Sequence, residues 1–271
     1  MSYKFLSFIG GGNMAQAIVF GLLKQGYPAD KITVCDRNQA KRELFEAQGV
    51  RVTQDPQTAA EQAEIVVLAV KPQGASTLAQ TISAVDFSDK FLISIMAAIS
   101  VKKLTALFPT VRHIVRVMPN TPALVSAGMS GLFAPPSVPD ELKRQAESLL
   151  KAVGKICWVE NESDMHSVTA ASGSSPAYFF LFMEAMQQAL LAMGLNNQQA
   201  RELIQQSALG AAKMAIENPQ TPFTVLRENV TSKGGTTAAA LAVFNERQFA
   251  QTVQLAMQAC VARSQEMEKL F

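Results

Sequence analysis

Short apolar runs, many of them β-branched, alternate with longer amphipathic stretches over residues 1–160. Residues 4–9, 32–35, 65–70, 91–95, 114–117, 129–133 and 155–159 read as strands, and 14–25, 39–48, 73–84 and 139–153 have helical length. That alternation is the pattern of βαβ units and a parallel sheet. Residues 65–70 are apolar at every position, as a strand covered by helices on both faces requires, so this strand is predicted to be central. The helix over 139–153 is framed by Pro139 at its start and Gly154 just past its end.

From about residue 161 the pattern changes. Strand-like runs stop, and Ala, Met, Leu and Gln dominate 179–193, 197–217 and 238–267. This half is predicted to be all helix, interrupted at 218–222 by Pro219 and Pro222 and at 231–235 by Gly234 and Gly235. The domains are therefore expected at 1–160 and 161–271. The Met- and Ala-rich faces are read as core or subunit-interface packing.

One turn carries specific chemistry. Ile9-Gly10-Gly11-Gly12-Asn13-Met14-Ala15 joins the first strand to the first helix, and Gly10-x-Gly12-x-x-Ala15 in that context is a dinucleotide-binding fingerprint. Gly10 permits the tight turn, Gly12 lets a pyrophosphate approach the backbone, and Ala15 lets helix and strand come close. The phosphates would lie at the helix N-terminus, where free N–H groups and the helix dipole favour negative charge. The second strand ends at Asp36, where an acidic residue can grip a ribose 2′-hydroxyl and favour NAD. Arg37 follows, and an arginine there can neutralise a 2′-phosphate and favour NADP, so the residues leave the choice open.

Composition narrows the partners. The 271 residues are 48% apolar and 17% charged with a formal net charge of +2, a globular balance. The basic residues are scattered, so nucleic acid and anionic membrane are not expected partners and a small molecule is. Cys35, Cys157 and Cys260 are an odd set without CxxC spacing, which points to neither disulfides nor zinc and fits a reducing cytoplasm. No targeting segment is readable, and no run approaches the roughly 18 apolar residues of a membrane span.

Four further segments occur in order: Ala69-Val70-Lys71-Pro72, Arg116-Val117-Met118-Pro119-Asn120-Thr121-Pro122, Ala171-Ser172-Gly173-Ser174-Ser175-Pro176-Ala177-Tyr178 and Ser232-Lys233-Gly234-Gly235-Thr236-Thr237. Together with the glycine turn they resemble the pyrroline-5-carboxylate reductase family over essentially the whole chain. The resemblance implies an α/β fold, a Rossmann-type doubly wound sheet followed by an all-α dimerisation domain. It also implies a homodimer able to build a larger ring, and reduction of 1-pyrroline-5-carboxylate to L-proline by hydride from NADPH or NADH.

On its residues alone, the Ser232–Thr237 loop can bend tightly before a helix near Thr236, so that N–H groups and hydroxyls converge on a carboxylate; an ordinary Ser/Thr-capped turn is the alternative. The resemblance implies that Ser232, Gly234, Gly235, Thr236 and Thr237 bind the substrate, with Thr237 at the ring nitrogen. A threonine hydroxyl is too weak an acid to protonate an imine unaided, so Thr237 is read as orienting a protonated substrate or relaying a proton through water. By the same resemblance Glu162 lies near the substrate, Asn229 near the cofactor ribose, and Ala69, Val70, Lys71, Pro72, Ile95, Met96 and Ala97 at the nicotinamide end. Lys71 contributes backbone contacts there and not a general acid. Glu162 could instead cap the first helix of the second domain, and Asn229 could end a helix. His113 and His166 are read as structural.

Departures from the family pattern are Lys233 in place of proline, Pro56 where some members carry Asn, Asp36 in place of a neutral residue, and Ala98 in place of glycine. Two rivals are a β-hydroxyacid dehydrogenase, for which Gly210-Ala211-Ala212-Lys213 offers a lysine one turn after a glycine, and a cofactor-sensing protein without turnover.

Overall fold

The computed structural model describes residues 3–271. The first part of the chain runs β1 (Leu6–Ile9), α1 (Asn13–Lys24), β2 (Ile32–Cys35), α2 (Gln39–Glu46), β3 (Arg51–Thr53), α3 (Pro56–Gln62), β4 (Ile65–Leu68), α4 (Ala75–Thr81), β5 (Phe91–Ser94), α5 (Val101–Leu107), β6 (His113–Met118), β7 (Gly128–Phe133), α6 (Asp140–Lys151), β8 (Gly154–Trp158) and α7 (Asp164–Val168). It continues through α8 (Ser175–Ala192), α9 (Asn197–Glu217), α10 (Phe223–Asn229), α11 (Thr236–Glu246) and α12 (Phe249–Leu270).

The eight strands form one sheet in the order β3-β2-β1-β4-β5-β6-β7-β8, so β4 is central as its apolar run requires. Strand order reverses between β1 and β4, the switch point of a doubly wound sheet, and ligands bind there beyond the carboxyl ends of the strands. Side chains alternate between two cores. Leu6 and Phe8 join Ile18, Phe45 and Ile93 on one face, and Ile9 joins Leu68, Ile82, Phe87 and Leu104 on the other. Each large side chain so buried contributes on the order of 1.5–3 kcal/mol.

The expected all-parallel sheet needs one correction, since β7 runs antiparallel to β6. The connection over 119–127 holds only a short 3-10 turn at Thr121–Val125, and a parallel return needs a crossover of a dozen or more residues. The helix α6 supplies that length before β8, which pairs parallel with β7. Elements absent from the pattern reading are short, seven residues or fewer: β3, α3 capped by Asp55 with Pro56 in its first turn, and α5 capped by Ser100.

Packing divides the chain into Met1–Pro176 with Cys260–Phe271, and Ala177–Ala259. The division differs from the compositional one at 160/161. A Cβ on Gly131 of β7 would collide with Val168 of α7, so this helix lies against the sheet. His166 and Arg116 hold the last turns of α12 through Ser264 and Glu268. In the second unit only Ala200 and Ile204 are buried, while Phe179, Phe180, Phe223 and Val243 are exposed. The helix expected over 238–267 is two, because Gln248 turns into the left-handed region at φ 55° between α11 and α12. Among the described residues no helix is long and apolar enough to cross a membrane.

Candidate active site

At the end of β1 the backbone of Gly10 takes φ +112° and its N–H donates to the Cys35 carbonyl at 2.8 Å. A Cβ there would stand 2.6 Å from the Ala69 oxygen, so both conformation and space demand glycine. Gly12 is the N-cap of α1, with no side chain capping the helix and no acidic residue in its first turn. A Cβ on Gly12 would meet nothing within 4 Å. The N–H groups of Asn13 and Met14 thus head an uncapped, 12-residue helix beside open space, while Ala15 is buried against the core. The donors and the dipole suit a pyrophosphate, and the residues present fit a dinucleotide.

Just past the end of β2, Asp36 accepts the N–H of Gly11 and the N–H of Asn38, both at 2.8 Å, and pairs with Lys41 at 3.4 Å. Burial pushes its carboxyl up, but the two N–H bonds and the Lys41 charge outweigh it and hold the pKa below the usual aspartate value. Asp36 therefore braces the glycine turn and is not paired with Arg37, which is exposed. The guanidinium of Arg42 donates to the carbonyls of Asp36 and Arg37 at 2.7 and 3.0 Å. Next to them the Cys35 thiol is pushed up to about 11 by burial and then by the charges of Asp36 and Asp55, so it is inert at neutral pH.

The parallel strands end in register, with Ile9 opposite Leu68, Leu68 opposite Ser94, and Ser94 opposite Arg116. Ala69, Val70, Lys71 and Pro72, then Ile95, Met96 and Ala97, consequently leave the sheet along the edge that carries the glycine turn. Backbone bonds fix the exits, Ala69 N–H to Ile9 and Ile95 N–H to Leu68. The Lys71 side chain is exposed, whereas Met96 is buried and Ala97 half-buried. Ala98 is buried in the left-handed region at φ 58°, the position where the family pattern has glycine.

Glu162 lies in this same unit. Its Oε1 accepts the Val101 N–H at 2.7 Å and an Arg116 N–H at 3.0 Å. It therefore holds the start of α5, in the sheet unit, and not the first helix of a second domain. Arg116 is 4% exposed and also pairs with Glu268 at 3.2 Å. Glu268 meets His166 Nε2 at 2.9 Å, and His166 Nδ1 meets the Ser264 hydroxyl at 2.9 Å. His166 is thus a buried structural partner; His113 stands at the start of β6, its Nδ1 buried without a hydrogen-bond partner. Asn120, given no role on sequence, donates to the Ser172 carbonyl in the π turn Thr169–Gly173 at 3.0 Å and accepts the Met129 N–H at 2.8 Å. The signal available for both was a polar residue inside or just past the apolar strand at 113–118.

In the second unit, Gly234 takes φ +72° and Gly235, the N-cap of α11, donates its N–H to the Ser232 carbonyl at 3.0 Å. No side chain caps α11 and its first turn holds no acid, so the Ser/Thr-capped alternative is not what forms. Thr236 and Thr237 are exposed on that first turn, as are Ser232 and Lys233 in the loop. The N–H groups heading α11, the three hydroxyls of Ser232, Thr236 and Thr237 and the Lys233 ammonium are donors of the kind a small carboxylate accepts from. Asn229 is exposed and ends α10.

Comparison with known proteins agrees with both halves. Residues 162–267 match a family model described as pyrroline-5-carboxylate reductase dimerisation, and residues 6–98 one described as NADP oxidoreductase, coenzyme F420-dependent. The chain is 62% identical over 275 residues to the pyrroline-5-carboxylate reductase of Pasteurella multocida, covering 100% of both. A solved pyrroline-5-carboxylate reductase from Coxiella burnetii superposes with TM-score 0.91 at 39% identity, covering 98% of this chain and 99% of that one. A Plasmodium falciparum pyrroline carboxylate reductase with NADP bound superposes at 0.89 with 28% identity and 99% coverage of each. With the dimerisation model matched over 162–267 and full-length identity of this order, the chain belongs to the pyrroline-5-carboxylate reductase family.

Proposed function

We propose that this protein reduces 1-pyrroline-5-carboxylate to L-proline, the last step of proline biosynthesis, with NADPH or NADH. The observation that carries the reading is a pair of helix N-termini left uncapped by any side chain and free of acids, α1 after Gly12 and α11 after Gly235. One suits a pyrophosphate and the other a carboxylate.

The cofactor supplies the hydride, so the chain's own task is to bind, orient and polarise. Ile9, Gly10, Gly11, Gly12, Asn13 and Met14 hold the phosphates, Asp36 and Arg37 flank the adenosine ribose, and Asn229 is a further cofactor contact. The exits at 69–72 and 95–97 wall the nicotinamide. Ser232, Gly234, Gly235 and Thr236 take the carboxylate, and the Thr237 hydroxyl accepts the N–H of the protonated ring. Hydride addition to the carbon of that iminium yields the neutral secondary amine directly, so no protein acid has to donate in the same step. The free φ of Lys233 costs loop rigidity, and its charge returns attraction for the anionic substrate.

The protein is further read as a homodimer able to assemble into a larger ring, in the cytoplasm, where its three unpaired cysteines would stay reduced. A hydroxyacid dehydrogenase would need Lys213, an exposed residue of α9. Steady-state assays with 1-pyrroline-5-carboxylate and each reduced cofactor, beside oxidation of 3-hydroxyacids, decide: turnover of hydroxyacids alone overturns the proposal, and cofactor binding without turnover of either identifies a sensor. Thr237→Ala is expected to lower kcat/KM about 100-fold while the cofactor Kd stays unchanged. Unchanged turnover would remove Thr237 from the site.

A further inference from the structure

We infer that Glu162, oriented by Arg116, is a positioning residue for the loop at 95–100 that walls the nicotinamide; the inference rests on the placement of that loop proposed above. The loop leaves β5 after Ser94 and enters α5 at Val101. Its first end is tied to the sheet by the Ile95 N–H on the Leu68 carbonyl at 3.0 Å. Its last end is tied by the Val101 N–H on Glu162 Oε1 at 2.7 Å, beside the Ser100 cap of α5.

Between the two ties sits Ala98 at φ 58°, a conformation that a residue with a Cβ adopts only when its surroundings impose it. Ala98 has no side chain able to hold that turn; the burial of Met96 and Ile99 on either side of it and the ties at the loop's two ends do so together. Glu162 is itself fixed from behind. The same Oε1 accepts from Arg116 at 3.0 Å, and Arg116, 4% exposed, stands on β6 directly opposite Ser94. The guanidinium is anchored on its other side by Glu268 at 3.2 Å. A carboxylate shared between a buried cation and a helix-start N–H has little freedom, and it fixes the far end of the loop relative to β5 and β6.

Glu162 in this role acts on the cofactor through the backbone, before any substrate arrives. Two consequences separate it from a residue that merely touches the imine. Removing the acceptor should weaken binding of NADH and NADPH in the absence of substrate, and relaxing Ala98 should compensate. With the full-length protein, titration of each reduced cofactor followed by nicotinamide fluorescence is expected to give Kd about tenfold higher for Glu162→Ala, since a donor left unpaired has that order of effect. Glu162→Gln, which keeps an oxygen for Val101, should stay within about twofold of the parent. Glu162→Asp keeps a negative charge near Arg116, which Glu268 also neutralises, but draws the shared oxygen back from hydrogen-bond distance of Val101, so it should fold and still show the loss.

Adding Ala98→Gly to either weakened variant should recover most of the affinity. Wild-type cofactor Kd in Glu162→Ala and Glu162→Asp, with only the KM for 1-pyrroline-5-carboxylate raised, would overturn the inference and make Glu162 a substrate contact. Failure of Ala98→Gly to rescue would equally overturn it. If the parent protein binds cofactor yet does not reduce the imine, the proposed function fails while these binding outcomes still decide the role of Glu162.

Discussion

Gly10 and Gly12 stand two residues apart in one turn and are required for different reasons. A side chain at Gly10 would strike the Ala69 carbonyl in a backbone conformation that L residues avoid, so its glycine serves the fold. Gly12 has φ −72° and empty space where a Cβ would go, so its glycine serves whatever occupies that space. Gly12→Ala should therefore leave unfolding stability within about 0.5 kcal/mol and weaken cofactor binding at least about tenfold. Gly10→Ala should cost about 1–2 kcal/mol or more. Thermal denaturation beside cofactor titration checks both, and equal loss of stability in the two variants would refute the distinction. The type of residue at each position was readable from the chain. The partners were not: Asp36 bracing Gly11, and Glu162 reaching Val101 across 61 residues, depend on strands adjacent only in the sheet.

Among the elements, α9 was legible to its last residue because its start carries its own signal. Asn196 accepts the Gln199 N–H at 2.9 Å and the Gln199 side chain returns to the Asn196 N–H at 3.2 Å, a capping box independent of tertiary context. Asn196→Ala is expected to destabilise the protein by about 1 kcal/mol without altering cofactor Kd, as equilibrium unfolding and titration would show. Where local signals were weak, the pattern failed. Strand β3 is three residues with an exposed arginine, too short for alternation to show. The reversal of β7 is written only in the length of the 119–127 connection. The break at Gln248 has neither glycine nor proline to mark it, and the Lys233 loop looked able to cap its helix with a hydroxyl when its backbone does the turning.

For the whole molecule, the second unit shows an imbalance no single helix reveals. Phe180 is 65% exposed and Phe223 80%, in a unit where only two residues are buried, so its apolar faces need another surface. With the dimerisation match over 162–267, the expected outcome is a dimer or larger species in sedimentation at micromolar protein, with a Tm that rises with concentration. A stable monomer would overturn that expectation. The sequence by itself determined the α/β-then-helical order, the glycine turn, the break before α11 at Gly234 and Gly235 and the central place of β4, because these follow from periodicities of two and 3.6 residues and from backbone freedoms local to a few positions. Only the tertiary structure decided that α7 and the end of α12 belong with the sheet, that β7 reverses, and that Arg116, Glu162 and Val101 meet. Those outcomes depend on burial and charge pairing between distant segments, and no local pattern encodes which distant segment will be the partner.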